Sequence, residues 1–420
     1  MSPPIEDAGA LRRGRLHYLP VVPGKAEFAA EVRRVLLEER PRVVAVELPS
    51  WLEAAYRPAI ARLPQITVIV YPDEKDEERA VYLPVEPCDP FTEAVRTALE
   101  IGSDVLFAEP DTGERPHLSD AYPDTYAVRR ASRDRYVEAY RMFPQQRTEE
   151  IEAHAGGIAW KLQGADPLAS VAVVVSLNLL DPVLDAMETP QEPPRRRRFP
   201  PPVDLLNPHP DCLAEITVEY PFFQEMYEQF RLEMENGDLI DRPRVQMTLL
   251  REAERAYRTN TGEDMTHWQR RLLACYSRNL AMINSELAAS LFDLTVAARS
   301  IVDDNFAWEV WENANRYPAQ KAVSDLETVN LSADEVWLRS RRMRLRRRLP
   351  GPKRRLRATG LKPRKKEQIR GEWARALKGN SICSYPPEDL TIEEYGRFLK
   401  QKAKSIVSEE RRRVEPFTTS

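Results

Sequence analysis

Three glutamates close apolar runs in the first third of the chain. Glu47 ends VVAVE, Glu86 ends RAVYLPVE and Glu109 ends DVLFAE. Carboxylates gathered at neighbouring strand ends repel one another. At least one then needs a raised pKa or a cationic partner, which is how acid–base pairs arise. His17, in LHYLPVV, is the candidate base. Glu93 and Arg96, in the first turns of DPFTEAVR, are candidates to line the same crevice, with Asn178 just after the last apolar run, SVAVVVS. Such a set suits acid–base chemistry on carboxylates, with a divalent cation as the cofactor to consider, because carboxylates favour hard cations. There is also a structural reading. A strand-ending Glu can cap the next helix, and a histidine inside an apolar strand is more often a hydrogen-bonded core residue.

These residues need a sheet to position them, and the sequence supplies one. RLHYLPVV, RVVAVEL, ITVIVY, RAVYLPV, DVLFAE and SVAVVVS read as strands. RVVAVEL is almost continuously apolar, as a strand buried on both faces must be. Between strands, KAEFAAEVRRVLLEE has Phe28, Val32 and Leu36 at helical spacing. Ser50 is the expected cap of the SWLEAAYRPAIARL helix. Asp89, Pro90 and Gly102 are the expected start and stop of DPFTEAVRTALEIG. Two helical stretches at 124–142 and 146–163 and a last helix, NLLDPVLDAME, complete the pattern. Repeated βα units predict an α/β fold with a mostly parallel sheet flanked by helices. In such a sheet ligands sit beyond the carboxyl ends of the strands.

TPQEPPRRRRFPPPVD then reads as a linker. The expected organisation is an α/β domain over 1–188, a Pro/Arg-rich linker over 189–203, a helical domain over 204–322 and a basic mixed α+β tail over 323–420. The chain closes on EPFTTS, so this is read either as a fragment of a longer protein or as an ordinary disordered end. Within the helical part, Arg299, Asp303, Asp304 and Asn305 interrupt an apolar pattern. Arg299 and Asp303 are i,i+4 neighbours able to pair, and the group reads as a binding site or a structural ion-pair network.

Charge is unevenly spread. The chain carries −4 overall. Arg339 to Lys378 holds about 18 Lys/Arg against about 2 Asp/Glu, which leaves the rest near −20. That segment suits nucleic acid, an acidic protein surface or a solvated arm, and aromatic residues for base stacking are sparse around it. EVWLRSRRMRLRRRL within it reads as a basic strand leading to a PGP turn.

Several classes are excluded. PVVPGK has one glycine, so neither the dinucleotide fingerprint nor the P-loop is met. No GxSxG elbow occurs. The four cysteines are scattered without a CxxC pair, and HPDC at 209–212 lacks a second ligand pair. The longest apolar run, ASVAVVVSLNLL, falls short of the ~20 residues of a membrane helix. The N-terminal MSPPIEDAGALRRGR has no apolar signal core. The expected location is the cytoplasm.

LHYLPVVPGKAEFAAEVRRVLLEERPRVVAVELP, DPFTEAVR and FAEP together resemble the TraB/PrgY-like and erythromycin esterase/ChaN-like group. Within it they are nearest to the bacterial domain of unknown function found beside MoxR ATPase and von Willebrand A genes. The resemblance spans roughly 15–188, with Glu47, Glu93, Arg96 and Glu109 on matching positions. It implies an α/β fold, hydrolase-like ancestry, and a MoxR-type ATPase and a von Willebrand A protein as partners. Two positions depart from the group: Pro23 stands where its GxxH histidine belongs, and Asn178 where its last strand ends in histidine. Loss of these bases points to a degenerate, non-catalytic domain acting as a scaffold or ligand-binding component of a multi-protein system. The alternatives are a carboxylate-based, metal-dependent hydrolase and a nucleic-acid-associated factor working through 339–378.

Overall fold

The strand that carries His17 is paired with the last strand of the α/β region, not with the one that carries Glu47. This computed structural model describes residues 11–73, 79–111, 115–116, 122–194, 201–233 and 239–331, and the backbone of 335–338 and 341–347. All belong to one unit, residues 1–355, of the two into which the chain divides.

A short β1 (Arg12–Arg13) turns back into β2 (Leu16–Val21), and α1 (Ala26–Glu39) leads to β3 (Val43–Pro49). After α2 (Glu53–Ala61) come β4 (Thr67–Pro72) and β5 (Arg79–Val85), then α3 (Pro90–Ile101) and β6 (Asp104–Glu109). The helices α4 (Ala127–Ala131), α5 (Arg133–Arg141) and α6 (Glu149–Gln163) precede β7 (Val171–Ser176) and α7 (Leu177–Ala186). The first sheet has the order β1-β2-β7-β3-β6, parallel except at β1. β7 returns between β2 and β3 and is buried along its whole length, which is why VAVVV carries no polar alternation. The α/β expectation holds.

The pair β4 and β5 does not extend this sheet. Its connection is too short for the crossover that a parallel pair requires, so the two strands form an antiparallel hairpin. They anchor a second, six-stranded sheet of order β10-β11-β5-β4-β8-β9. Here β8 (Asp204–Pro208), β9 (Thr328–Val329), β10 (Glu335–Leu338) and β11 (Arg341–Arg347) come from much later in the chain. Within EVWLRSRRMRLRRRL, 335–338 and 341–347 are therefore two antiparallel strands, not one. The rest of the basic segment to Lys378 lies outside the described residues.

The expected boundary near 204 does not separate two cores. β8 pairs with β4 directly after the linker, and Ile66, Val68, Leu206, Leu213, Tyr317 and Val329 share one apolar cluster. Gln320 stitches it together, accepting from Ile66 N at 2.9 Å and donating to Asn207 at 2.8 Å. After α8 (Leu213–Ile216), the helices α9 (Pro221–Glu233), α10 (Arg242–Thr261), α11 (His267–Ile283), α12 (Leu291–Ile301) and α13 (Asp304–Ala314) follow. Their core includes Ala26, Ala29 and Ala30 of α1 beside Phe223, Leu249 and Phe306. Small residues on that face of α1 let the helical layer approach closely.

Local signals were met unevenly. Asp89 caps α3 through Thr92 N at 2.9 Å, and Gly102 ends it with φ +76°. Ser50 caps no helix. It opens a short 3₁₀ turn and gives its hydroxyl to Asp111 at 2.6 Å. The Arg299 region is two helices, not one. Asp303 caps α13 through Phe306 N at 2.7 Å, and Arg299 pairs with Asp304 at 2.6 Å. Asp303 also accepts from Tyr257 OH at 2.7 Å. Capping holds the Asp303 side chain against its own helix start, so the expected i,i+4 pair gives way to a neighbouring one.

Candidate functional site: the carboxyl edge of the parallel sheet

Glu47 sits where β3 breaks register with β6, and it is 1% exposed. One carboxylate oxygen accepts from Arg115 Nε at 2.7 Å, the other from Ser176 N at 2.6 Å. Arg115 also donates to Ser176 Oγ at 2.9 Å. The buried charge has thus found its cation and a backbone donor, as burial demands. Arg115 was not among the sequence candidates. It lies in the polar stretch after β6, where no periodicity points inward. The one available signal was the need of clustered carboxylates for a cation.

Glu109 ends β6 beside Pro49 of β3, so Glu47, Glu109 and Ser176 lie toward the carboxyl ends of three adjacent parallel strands. Glu109 is buried, and its carbonyl accepts from Lys161 Nζ at 2.6 Å. Asn178, in the first turn of α7, is 6% exposed, and its Oδ1 has no hydrogen-bond partner among the described residues.

Glu86 is turned toward the helical layer. It accepts from Gln224 Nε2 at 2.7 Å and from Val218 N at 3.2 Å. The same Gln224 accepts from Cys88 N at 2.9 Å. Asp89 reaches back to Gly24 N at 2.9 Å, in the loop after β2. Gly24 has φ +70°, and a Cβ built there would lie 2.4 Å from Val218 Cγ2. The segment from Val218 to Gln224 therefore lies over the end of β2, next to Pro23.

Beneath it is a buried ionic group. Arg242 donates to Glu27 at 2.7 Å and to Glu219 at 2.9 Å, and Lys25 stands 3.5 Å from Glu219. Burial pushes the Glu219 carboxyl up, but Arg242 and Lys25 outweigh it and hold the pKa down at about 2. The Cys88 thiol, buried next to Glu219 and Glu86, is pushed well up, chiefly by burial.

Glu93 and Arg96 do not line the strand-end crevice. Glu93 is fully buried, bound through both oxygens by Arg231 Nε at 3.0 Å and by Thr97 Oγ1 at 2.6 Å. Arg96 pairs with Glu228. Both face α9. α3 is amphipathic, and with one face on the sheet its charged residues meet the next layer.

His17 and Val44 are both in register with Ala172 of the intervening β7, so His17 lies level with a point three residues before Glu47 and on the alternate face. Its Nδ1 lies 3.0 Å from Glu39, and its Nε2 lies 2.9 Å from Arg133 Nη2. An arginine donates only, so Nε2 accepts and the proton sits on Nδ1. Burial pushes the imidazole pKa down, and the Glu39 hydrogen bond offsets only part of this. His17 is thus a neutral core histidine apart from the glutamates.

Among the described residues, no group of three or more His, Cys, Asp or Glu could hold a metal ion. Among them, no helix is long and apolar enough to cross a membrane. Against known proteins, the chain matches no family model, no curated protein and no solved structure.

Proposed function

We propose that the chain is a non-catalytic binding component of a multi-protein system, built on an α/β framework akin to TraB-like and erythromycin esterase-like domains. The observation that supports this most is the segment Val218–Gln224 lying over the strand-end region that ligands occupy in open α/β sheets. The acidic residues there serve internal contacts: Glu47 with Arg115 and Ser176, Glu86 with Gln224, Glu219 with Arg242. Pro23 and Asn178 stand where bases would be needed. Partners of the MoxR ATPase and von Willebrand A type follow from the same resemblance. The test has two arms. The purified full chain is offered activated esters and peptides with and without Mg²⁺, and tagged chain is used to recover partners. No turnover, with partner recovery unchanged in Glu47→Gln/Arg115→Gln, is the expected result. Turnover lost in a folded Glu47→Gln variant would overturn the proposal in favour of a carboxylate hydrolase.

A further inference from the structure

Helix α11 is apolar on two opposite faces. Leu273, Ser277 and Ala281, at i, i+4 and i+8, are buried, with Leu273 in the main helical core and Ala281 packed with Ala289 and Leu294. The opposite face runs Trp268, Leu272, Cys275, Asn279, Met282, in alternating steps of four and three. Trp268 is 63% exposed and Met282 65%. Cys275 and Asn279 are also exposed, and Leu272 is half-buried. Tyr276 and Ile283 lie exposed along one edge of this stripe. A surface helix with a single apolar contact has polar residues on its outer face. A four-three alternation is instead the 3.5-residue repeat of helices packed along a seam. Asn279 takes the a position, where a lone Asn sets register and strand number.

We infer that α11 is a self-association face, pairing in parallel with α11 of a second copy of this chain. The flanks select the occupant and its direction. Arg271 and Arg278 line the other edge and have no ion-pair partner among the described residues. Parallel pairing sets Arg271 against Tyr276 of the second copy, cation over ring, and the Arg278 stem against Ile283. Antiparallel pairing sets Arg271 beside Arg278, like charge against like. The area is sufficient: the exposed parts of Trp268, Tyr276, Met282 and Ile283 amount to roughly 500 Å² per copy, so pairing removes about 1,000 Å², the threshold for a specific interface. This inference stands apart from the proposed function, because α11 contributes nothing to the carboxyl edge.

Sedimentation velocity of the full chain across the micromolar range is the test. The expected result is a monomer–dimer equilibrium. Trp268→Glu and Met282→Glu, both at exposed positions, each weaken it roughly 30-fold or more, the scale of a hot-spot loss. In a Cys383→Ser background, with Cys88 and Cys212 buried, a short bifunctional maleimide joins two chains through Cys275. Adding Cys275→Ser abolishes the product, and further adding Asn279→Cys restores it. A monomer throughout, a dimer indifferent to both glutamates, or no Cys275 cross-link overturns the inference. Cross-linking through Cys275 but not through Asn279→Cys overturns the parallel arrangement.

Discussion

Val218 rests on Gly24. The glycine holds a left-handed backbone at φ +70°, and the valine side chain fills the space a Cβ would need, at 2.4 Å. One contact thus fastens the segment before α9 onto the loop after β2, and Asp89 grips the same loop through Gly24 N. The end of β2 is a packing joint.

Gly24→Ala is therefore expected to destabilise the protein by about 2–4 kcal/mol, combining left-handed strain with overpacking. Val218→Gly should restore part of that loss in the double variant, because only the steric component is relieved. Chemical denaturation of the four proteins in a cycle measures it. An additive cycle would show that the contact is not direct.

Much of the frame was legible from sequence because it rests on local patterns. VVAVEL and VAVVV are continuous apolar runs, and such runs form central parallel strands. Asp89, Pro90 and Gly102 bracket α3 through backbone chemistry that depends only on near neighbours. Glu47 was legible because it closes an apolar strand. The hairpin's place was not, since β5 finds β11 and β4 finds β8 more than a hundred residues away. Arg115, Gln224 and Arg242 were missed for the same reason. Each is an ordinary polar residue in its own segment and gains a role only through a carboxylate from elsewhere.

The buried ionic group makes stability depend on pH. Glu219 has its folded pKa lowered to about 2, against an ordinary carboxylate value near 4.5. The unfolded chain binds the proton more readily, so the stabilisation is fully present above about pH 4.5 and is lost as pH falls toward 2. Urea unfolding of the wild type and Glu219→Gln should differ by about 2–3 kcal/mol at neutral pH and converge near pH 2. A gap that persists at pH 2 would assign the effect to packing.

His17 adds a second window at higher pH. Its folded pKa lies below the ordinary 6.5, mainly through burial. Protonation therefore favours the unfolded chain, so its contribution is present above pH 6.5 and falls away as pH drops through the lower folded value. His17→Gln should flatten the stability profile in this range, with little change at pH 8 if the amide keeps contacts to Glu39 and Arg133. An NMR titration placing the His17 pKa above 6.5 would contradict the lowering by burial.

The pair of Glu93 and Arg231 is the sharpest test of how the helical layer is joined to α3. Glu93 is completely buried, and both its oxygens receive the Arg231 Nε, with Thr97 and Arg33 completing the shell. Removing the cation alone leaves a buried carboxylate short of its main partner, and Arg231→Met is expected to cost about 3–5 kcal/mol. Replacing both charges removes that penalty, so Glu93→Gln/Arg231→Met should be less damaging than Arg231→Met alone. Arg33 keeps the site from becoming wholly neutral, because it also binds Glu100 at 2.8 Å. The recovery should therefore be partial, and a coupling energy of about 1–3 kcal/mol from the double-mutant cycle is the expected readout. A double variant as unstable as the two single losses added together would mean that the pair aligns α9 by shape rather than by charge.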